Sequence, residues 1–582
     1  MTLDSMELEL LEAVQIDEMW RHLEYLCALD RTSGSSGEFA AGRYLADALE
    51  RYGCEVRMHQ FDAYLSYPVN ARLLAGIGPD KGAQSEFPAK TRSFSATTGP
   101  SGARGEIIYV PGSEDMFTDT ETADRLRQLD LRGKIVLSEG GGRDNMITAR
   151  QRGAVAYIHL WPSEEDVIHE GIVTPIWGTP GPHDLAKLPG IPVIAVKRAD
   201  GLRLKAAAAS GAVQATIHTT VETGWHRLVL PEAVIAGSSD EFVLVGGHLD
   251  SWHLGATDNA TGNVCCLELA RILQARRSAL RRSVRIAWWP GHSTGRYAGS
   301  TWYCDHFWQE LHDRCVTYIN VDSPGALGAY DYSRVTAVAE SADFAREVIA
   351  GVTGQTPEIE RPVRAGDQSF WGPGVSSLFM LLSNRPPGQR AAVGGSGMGW
   401  WWHTEEDTID KVEPAVLRKD TQIHLLATWR LSTAQRLPLK VGPLASELGA
   451  RLAELAAAAP QLSWARLRAA AGRLELAAAA FDSDWPHATG SDLETGNRAA
   501  LAAIRHLTPV SFSAAPAHLH GPATPTSILP LLEPALRLGR LAAGGDEQRF
   551  WCAELVRRQN AVEHALTQAN RVLAGWPRDD MT

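Results

Sequence analysis

Residues 248–262 read HLDSWHLGATDNATG and place His248, Asp250, His253 and Asp258 within eleven residues. Asp322 follows the apolar run VTYINV, and His403 follows three consecutive tryptophans, Trp400 to Trp402. Imidazole and carboxylate are the ligand types that suit zinc. A single histidine at a strand end, however, is more often a hydrogen-bonded structural group. Taken one at a time, Asp250 reads as a cap, Asp258 with Asn259 as a turn, and the acidic run 405–407 as a solvated helix start. His253 stays with its structural reading. A second stretch, WWPGHSTGRYAGS at 288–300, delivers His292, Ser293 and Thr294 into a glycine-bounded turn. Histidine, with an ordinary pKa of ~6.5, can carry a proton near neutral pH or ligate a metal.

Such groups need a rigid frame. Between 226 and 435 continuous apolar runs (FVLVGG, SVRIAWW, VTYINVD, SSLFMLL) alternate with helical patterns such as 262–274. This predicts an α/β fold with a mainly parallel sheet covered by helices on both faces. The candidate residues follow the carboxyl ends of those strands, where such folds place their sites. Residues 7–52 predict two helices around the turn SGSSGE. From 66 to 225 short β-type runs (GEIIYV, GKIVLSE, AVAYIHL, IPVIAV) predict a small β-rich module. After about 440, Ala, Leu and Arg at helical spacing predict a helical bundle, as in SELGARLAELAAAA.

Composition narrows the function classes. The chain has 582 residues, is 44% hydrophobic and carries a formal net charge of −12. That balance argues against a sequence-independent grip on nucleic acid, so small molecules or proteins are the expected partners. The acidic N-terminal stretch does not read as a secretory signal. No run of about 18 apolar residues predicts a membrane span. Seven cysteines without framework spacing predict reduced thiols and a cytoplasmic location, with Cys265 and Cys266 in the core.

In order, GGHLDSW, GATDNATG, TYINVDSPG, RAGDQSFW and WHTEEDTIDKV closely resemble the co-catalytic zinc exopeptidases, which include bacterial aminopeptidases, glutamate carboxypeptidase II and the transferrin receptor. The resemblance implies a zinc-exopeptidase-like α/β domain formed by 1–65 and 226–435. It implies an inserted β-rich protease-associated domain at 66–225, on DAYLSYP, SFSATTGPSGARGEIIYV, DLRGKIVL and GIPVIAV, and a helical dimerisation-like domain at 436–582. His248, Asp258 and Asp322 would bind one metal. Asp258 would bridge to a second metal held partly by His403, and Asp250 would orient His248. A homodimer is expected, because the apolar stripes after 440 exceed what the catalytic domain obviously covers.

The family has two adjacent glutamates, a general base and a metal ligand, after the strand that SVRIAWW matches. Here the turn supplies His292 and Ser293 when anchored on the strand, or Ser293 and Thr294 when anchored downstream. Either register removes both carboxylates, so one zinc ion is expected rather than two, with His292 as base or ligand and Ser293 beside it. The implied activity is hydrolysis of an amide or other C–N bond in a small molecule or peptide. A receptor-like scaffold and a metal-assisted lyase are the alternatives. Trp252, Trp371 and Trp400 to Trp402 read equally as an aromatic substrate wall or as core. Arg296 and Arg364 are read as solvated, although either could meet a carboxylate.

Overall fold

A computed structural model describes residues 3–77, 84–113, 121–379, 381–392, 394–522 and 527–576. Its frame is a twelve-stranded sheet among the described residues. Two long strands, Glu55–Ala75 and Gln214–Ile235, form its axis, pairing antiparallel from Glu55 opposite Val234 to Ala75 opposite Ala215. At the Ile235 end this ribbon pairs with Ser283–Trp289. That strand runs parallel to Phe242–His248, which runs parallel to Cys315–Asn320 and then Ser377–Leu378. At the Gln214 end the ribbon pairs with Ala103–Tyr109, and Lys134–Ser138, Ala156–Leu160 and Val193–Val196 continue in parallel. The β-rich segment and the α/β segment expected from the sequence are therefore two parallel blocks of one mixed sheet.

The strand assignments follow from burial on both faces. Every residue of Phe242–His248 is buried, and Trp288 and Trp289 are both 0% exposed. Because successive side chains point to opposite faces, the two tryptophans anchor separate cores, one beneath the helices and one against Tyr303 and Phe370. Helix Thr261–Ala275 is buried along almost its whole length, with Cys265 and Cys266 in the core as expected.

Several elements differ from expectation. The N-terminal region forms three helices, Ser5–Glu12, Ile16–Cys27 and Ser36–Arg51, because a capping box between Asp4 and Glu7 starts a separate first helix. The run SSLFMLL contributes only Ser377–Leu378, since Phe379 takes left-handed backbone (φ 50°) that ends the extended run; Met380 lies outside the described residues. After 440 the helices are Val441–Ala458, Ala465–Asp484, Gly490–Phe512 and Asp546–Ala574. Their apolar stripes, including Leu448, Leu474, Leu507 and Leu566, are buried in one core continuous with that of the sheet. The stripes expected to require a partner subunit are thus covered by the chain itself. Among the described residues no helix is long and apolar enough to cross a membrane.

Candidate metal and catalytic site

Three neighbouring parallel strands deliver the candidate residues to one end of the sheet. His248 is the last residue of its strand, Asp322 lies two residues beyond Asn320, and the turn holding His292 follows Trp289. Side-chain hydrogen bonds lock these loop ends together. Asn259 donates from Nδ2 to the Val321 carbonyl at 2.9 Å, and its Oδ1 accepts from the backbone of Gly262 at 3.1 Å and of Ser323 at 3.0 Å. Asp407 accepts from Thr257 N at 2.9 Å, Thr257 Oγ1 at 2.7 Å and Asp258 N at 3.0 Å. The acidic run expected as a solvated helix start therefore contains a buried brace, because Asp407 turns inward while Glu405 stays exposed. Arg31, also fully buried, donates to the carbonyls of Leu26, Leu249 and Gly255 and ties the N-terminal helices to the same end of the sheet.

His248 Nε2 lies 2.9 Å from Asp258 Oδ1 and 3.9 Å from Asp322 Oδ1, and ligand atoms of all three lie within 4.8 Å of one another. The other Asp258 oxygen is 3.1 Å from His403 Nε2. The carboxylate of Asp258 thus stands between two imidazoles. His248 donates from Nδ1 to the Asp250 carbonyl at 2.8 Å, which turns Nε2 toward the carboxylates. His403 donates from Nδ1 to the Glu170 carbonyl at 3.2 Å, and its ring stacks on Trp402 at 3.6 Å.

With both of its nitrogens facing oxygen acceptors, His248 needs a positive charge at Nε2, either a proton or a cation. Burial alone would lower its pKa, but the carboxylates of Asp258, Asp322 and Asp250 override this and raise it to about 10. Burial, assisted by the Asp258 charge and opposed by His248, raises Asp322 to about 6. One imidazole and two carboxylates sharing a buried corner fit a zinc ion with a coordination position to spare. Among the described residues, Asp258 and His403 face each other across the cluster at 3.1 Å.

Asp250 differs from the expected role. It fixes His248 through its backbone carbonyl, while its carboxylate lies 4.0 Å from His248 Nδ1. That carboxylate instead accepts from the backbone of His292 at 3.0 Å and of Ser293 at 2.8 Å, and from Ser33 Oγ at 2.8 Å. Its chemistry is to shape the turn, since a buried carboxylate needs donors and the turn supplies two. His292 and Ser293 both face the pocket, while Thr294 packs behind them with its carbonyl bonded to Ser66 N. The strand-anchored register is therefore the one that puts side chains at the site.

His292 stacks on His248 with ring centres 3.9 Å apart. Its Nδ1 donates to Asp367 Oδ2 at 2.7 Å, and Asp367 Oδ1 accepts from Ser300 Oγ at 2.6 Å. Asp367 lies in the quoted motif RAGDQSFW but had no role in the sequence reading. Only its place in that motif marks it, since 75 positions separate it from His292. His253 stands outside this group, 3.4 Å from Glu170 and 3.7 Å from Glu405, and Lys90 pairs with both carboxylates at 2.9 and 2.6 Å.

A pocket opens over the cluster. Asp258, Asp322, His292 and His403 line one side; Arg92 and Trp161 come from the β-rich segment opposite. Of the tryptophans weighed as a substrate wall, Trp252 and Trp402 line this pocket. Trp401 is buried, bonded through Nε1 to Thr257 Oγ1, and Trp371 stacks on Phe512 in the core. Arg296 and Arg364, expected to be solvated, are each only 5% exposed. Both sit among aromatic rings, Arg296 over Tyr297 and Arg364 over Trp177, and that packing removes them from water.

Comparison with known proteins agrees with this arrangement. Residues 232–428 match Peptidase family M28. A probable glutamate carboxypeptidase, VP8, from Zea mays is 25% identical over 356 residues, covering 52% of this chain and 49% of that protein. Aminopeptidase NAALADL1 from Mus musculus is 34% identical over 118 residues, covering 20% of this chain and 16% of that protein. The chain thus spans about half the length of the maize relative and less of the mouse one. Among solved structures, an aminopeptidase from Aneurinibacillus sp. strain AM-1 superposes with a TM-score of 0.56 at 19% identity, covering 73% of this chain and 96% of that one. A Peptidase M28 precursor from Shewanella amazonensis SB2B gives 0.58 at 18% identity, with 74% and 97% covered. The fold is shared with these solved structures. Residues 232–428 are thus similar to peptidase family M28, and within them the turn after Trp289 carries no adjacent glutamates.

Proposed function

We propose that this protein is a metal-dependent hydrolase that cleaves an amide or another C–N bond in a small molecule or peptide, with His292 in place of the usual glutamate base. The observation that carries this reading is the His292–Asp367 pair stacked against the His248, Asp258 and Asp322 corner. Zinc held by those three residues would supply a Lewis acid for the scissile carbonyl and would acidify water. Asp367 accepts the Nδ1 proton of His292 and so leaves Nε2 as the nitrogen able to take up a proton. With Nδ1 committed to Asp367, Nε2 is free either to carry a proton or to ligate, and this reading takes His292 as the proton carrier. Ser293 sits beside it with its backbone held by Asp250, and polarity at the pocket floor comes from both. One ion rather than two is part of the proposal, because the turn after Trp289 supplies no glutamate pair. A scaffold has no use for this set of buried, mutually charged groups, whose desolvation would go uncompensated.

The segment 66–225 is proposed to act as the protease-associated domain and supplies the outer pocket wall. The helices after 436 are proposed to support a homodimer, for which the exposed Leu476 and Phe550 offer apolar contact points; sedimentation as a monomer at micromolar concentration would rule this out. The central experiment is a panel of amides and dipeptides assayed with purified protein of measured metal content. Zinc-dependent release of an amine supports the proposal, and no turnover of any member by zinc-loaded protein counts against it.

A further inference from the structure

Arg296 is a buried cation without an anion. It is 5% exposed, and neither its Nε nor its Nη2 has a hydrogen-bond partner. No carboxylate among the described residues pairs with it; the Tyr297 ring, 4.8 Å away, is its recorded neighbour. Burial pulls its pKa below the usual guanidinium range, opposed only weakly by the Tyr297 phenol, and no carboxylate among the described residues restores it. A guanidinium stripped of water and left unpaired is costly, so such a group is retained where something else completes it.

Its position says what that is. Arg296 lines the same pocket as His292, Asp258 and His403, four residues beyond His292 in the turn. Arg92 lines the same pocket and also leaves its Nη2 without a partner, but it donates through Nη1 to the His169 carbonyl and feels the charge of Glu170. Arg364 donates to the Gly521 carbonyl at 3.0 Å and does not line the pocket. Left-handed backbone at Arg296 (φ 52°) and Tyr297 (φ 68°) fixes the turn, and the Gly178 N–H holds the Arg296 carbonyl at 2.6 Å. The side chain is thus carried by a braced segment rather than a loose one.

We infer that Arg296 is a specificity residue that receives a carboxylate of the substrate, so that the protein selects amides bearing a carboxylate alongside an apolar or flat group held between Trp252 and Trp402. A guanidinium offers two parallel donors that match a carboxylate, and the pocket keeps that pair away from water. This inference rests on the pocket being the substrate site, but its test does not require turnover.

Calorimetric binding of N-benzoylglycine and its neutral counterpart N-benzoylglycinamide is measured on the full-length protein, with and without zinc, for wild type, Arg296→Met and Arg296→Lys. Folding of each variant is checked by circular dichroism. The expected result is at least tenfold tighter binding of the carboxylate by wild type, with zinc or without it. Arg296→Met should erase the preference, and Arg296→Lys should reduce it without erasing it. Equal affinity of wild type for the two compounds overturns the inference, as does failure to bind the carboxylate. A preference that requires zinc, or that survives Arg296→Met, assigns the carboxylate to the metal and also overturns it. If Arg296→Met does not fold, an unchanged preference in Arg296→Lys overturns it. Failure of the hydrolase reading would show separately, as absent turnover with this binding preference intact.

Discussion

Asp367 holds the Nδ1 side of His292 at 2.7 Å, and the same carboxylate is braced from behind by Ser300 at 2.6 Å. The pair aligns an imidazole whose backbone N–H is already tied to Asp250. An imidazole fixed at both its main chain and one ring nitrogen presents the other nitrogen in one direction.

Replacing His292 by Ala is expected to lower turnover by about two to four orders of magnitude, the usual range for a lost acid–base group, while metal content stays near the wild-type level. Elemental analysis beside kinetics reads both. Loss of metal with partial recovery in excess zinc would make His292 a ligand instead.

Asp407 should matter to the metal without touching it. Its carboxylate receives the N–H groups of Thr257 and Asp258 and so sets the direction of the Asp258 side chain. Asp407→Asn places an amide NH2 against one of those donors. Zinc affinity, titrated against a competing chelator, is expected to fall about 10- to 100-fold.

Glu340 lies outside the cluster, is 2% exposed, and burial raises its pKa from 4.5 to about 7. A carboxyl group raised in the folded state contributes stability that is fully present below its unfolded pKa and is lost as pH rises through the folded value. Between about pH 4.5 and 7 its ionisation should therefore destabilise the fold, by on the order of 3 kcal/mol at most. Thermal melts from pH 5 to 8.5 should show a smaller decline for Glu340→Gln than for wild type. Equal declines would mean that Glu340 does not contribute.

Simple aminoacyl anilides should be poor substrates even with added zinc, because the turn after Trp289 lacks the glutamate pair of the family. Turnover at the rate of an ordinary aminopeptidase would contradict the role given to His292.

The central strands were legible because they are buried on both faces and so carry apolar runs, as in 242–247 and 286–289. His248, Asp258, Asp322 and His403 were legible because they sit at fixed offsets from those runs. Asp367 and Asp407 were not, since each acts across a sequence gap of 75 or about 150 residues on a partner that only the folded chain brings near. Burial of Arg364 was hidden for a similar reason: Trp177, one of the rings that cover it, comes from a distant segment of the chain. The third C-terminal helix, Gly490–Phe512, forms although Gly496 and Pro509 break the usual helical composition, because packing of Leu501 and Leu507 outweighs both.

The long ribbon of Glu55–Ala75 and Gln214–Ile235 brings Ala75 and Ala215 directly opposite each other, so everything between them leaves and rejoins the chain at one doorway. The outer wall of the pocket is therefore a cassette: Arg92 and Trp161 can be rewritten by exchanging that one stretch, without changing the strand that ends in His248. Selection on what enters the pocket and selection on what happens to it can proceed along separate parts of the gene.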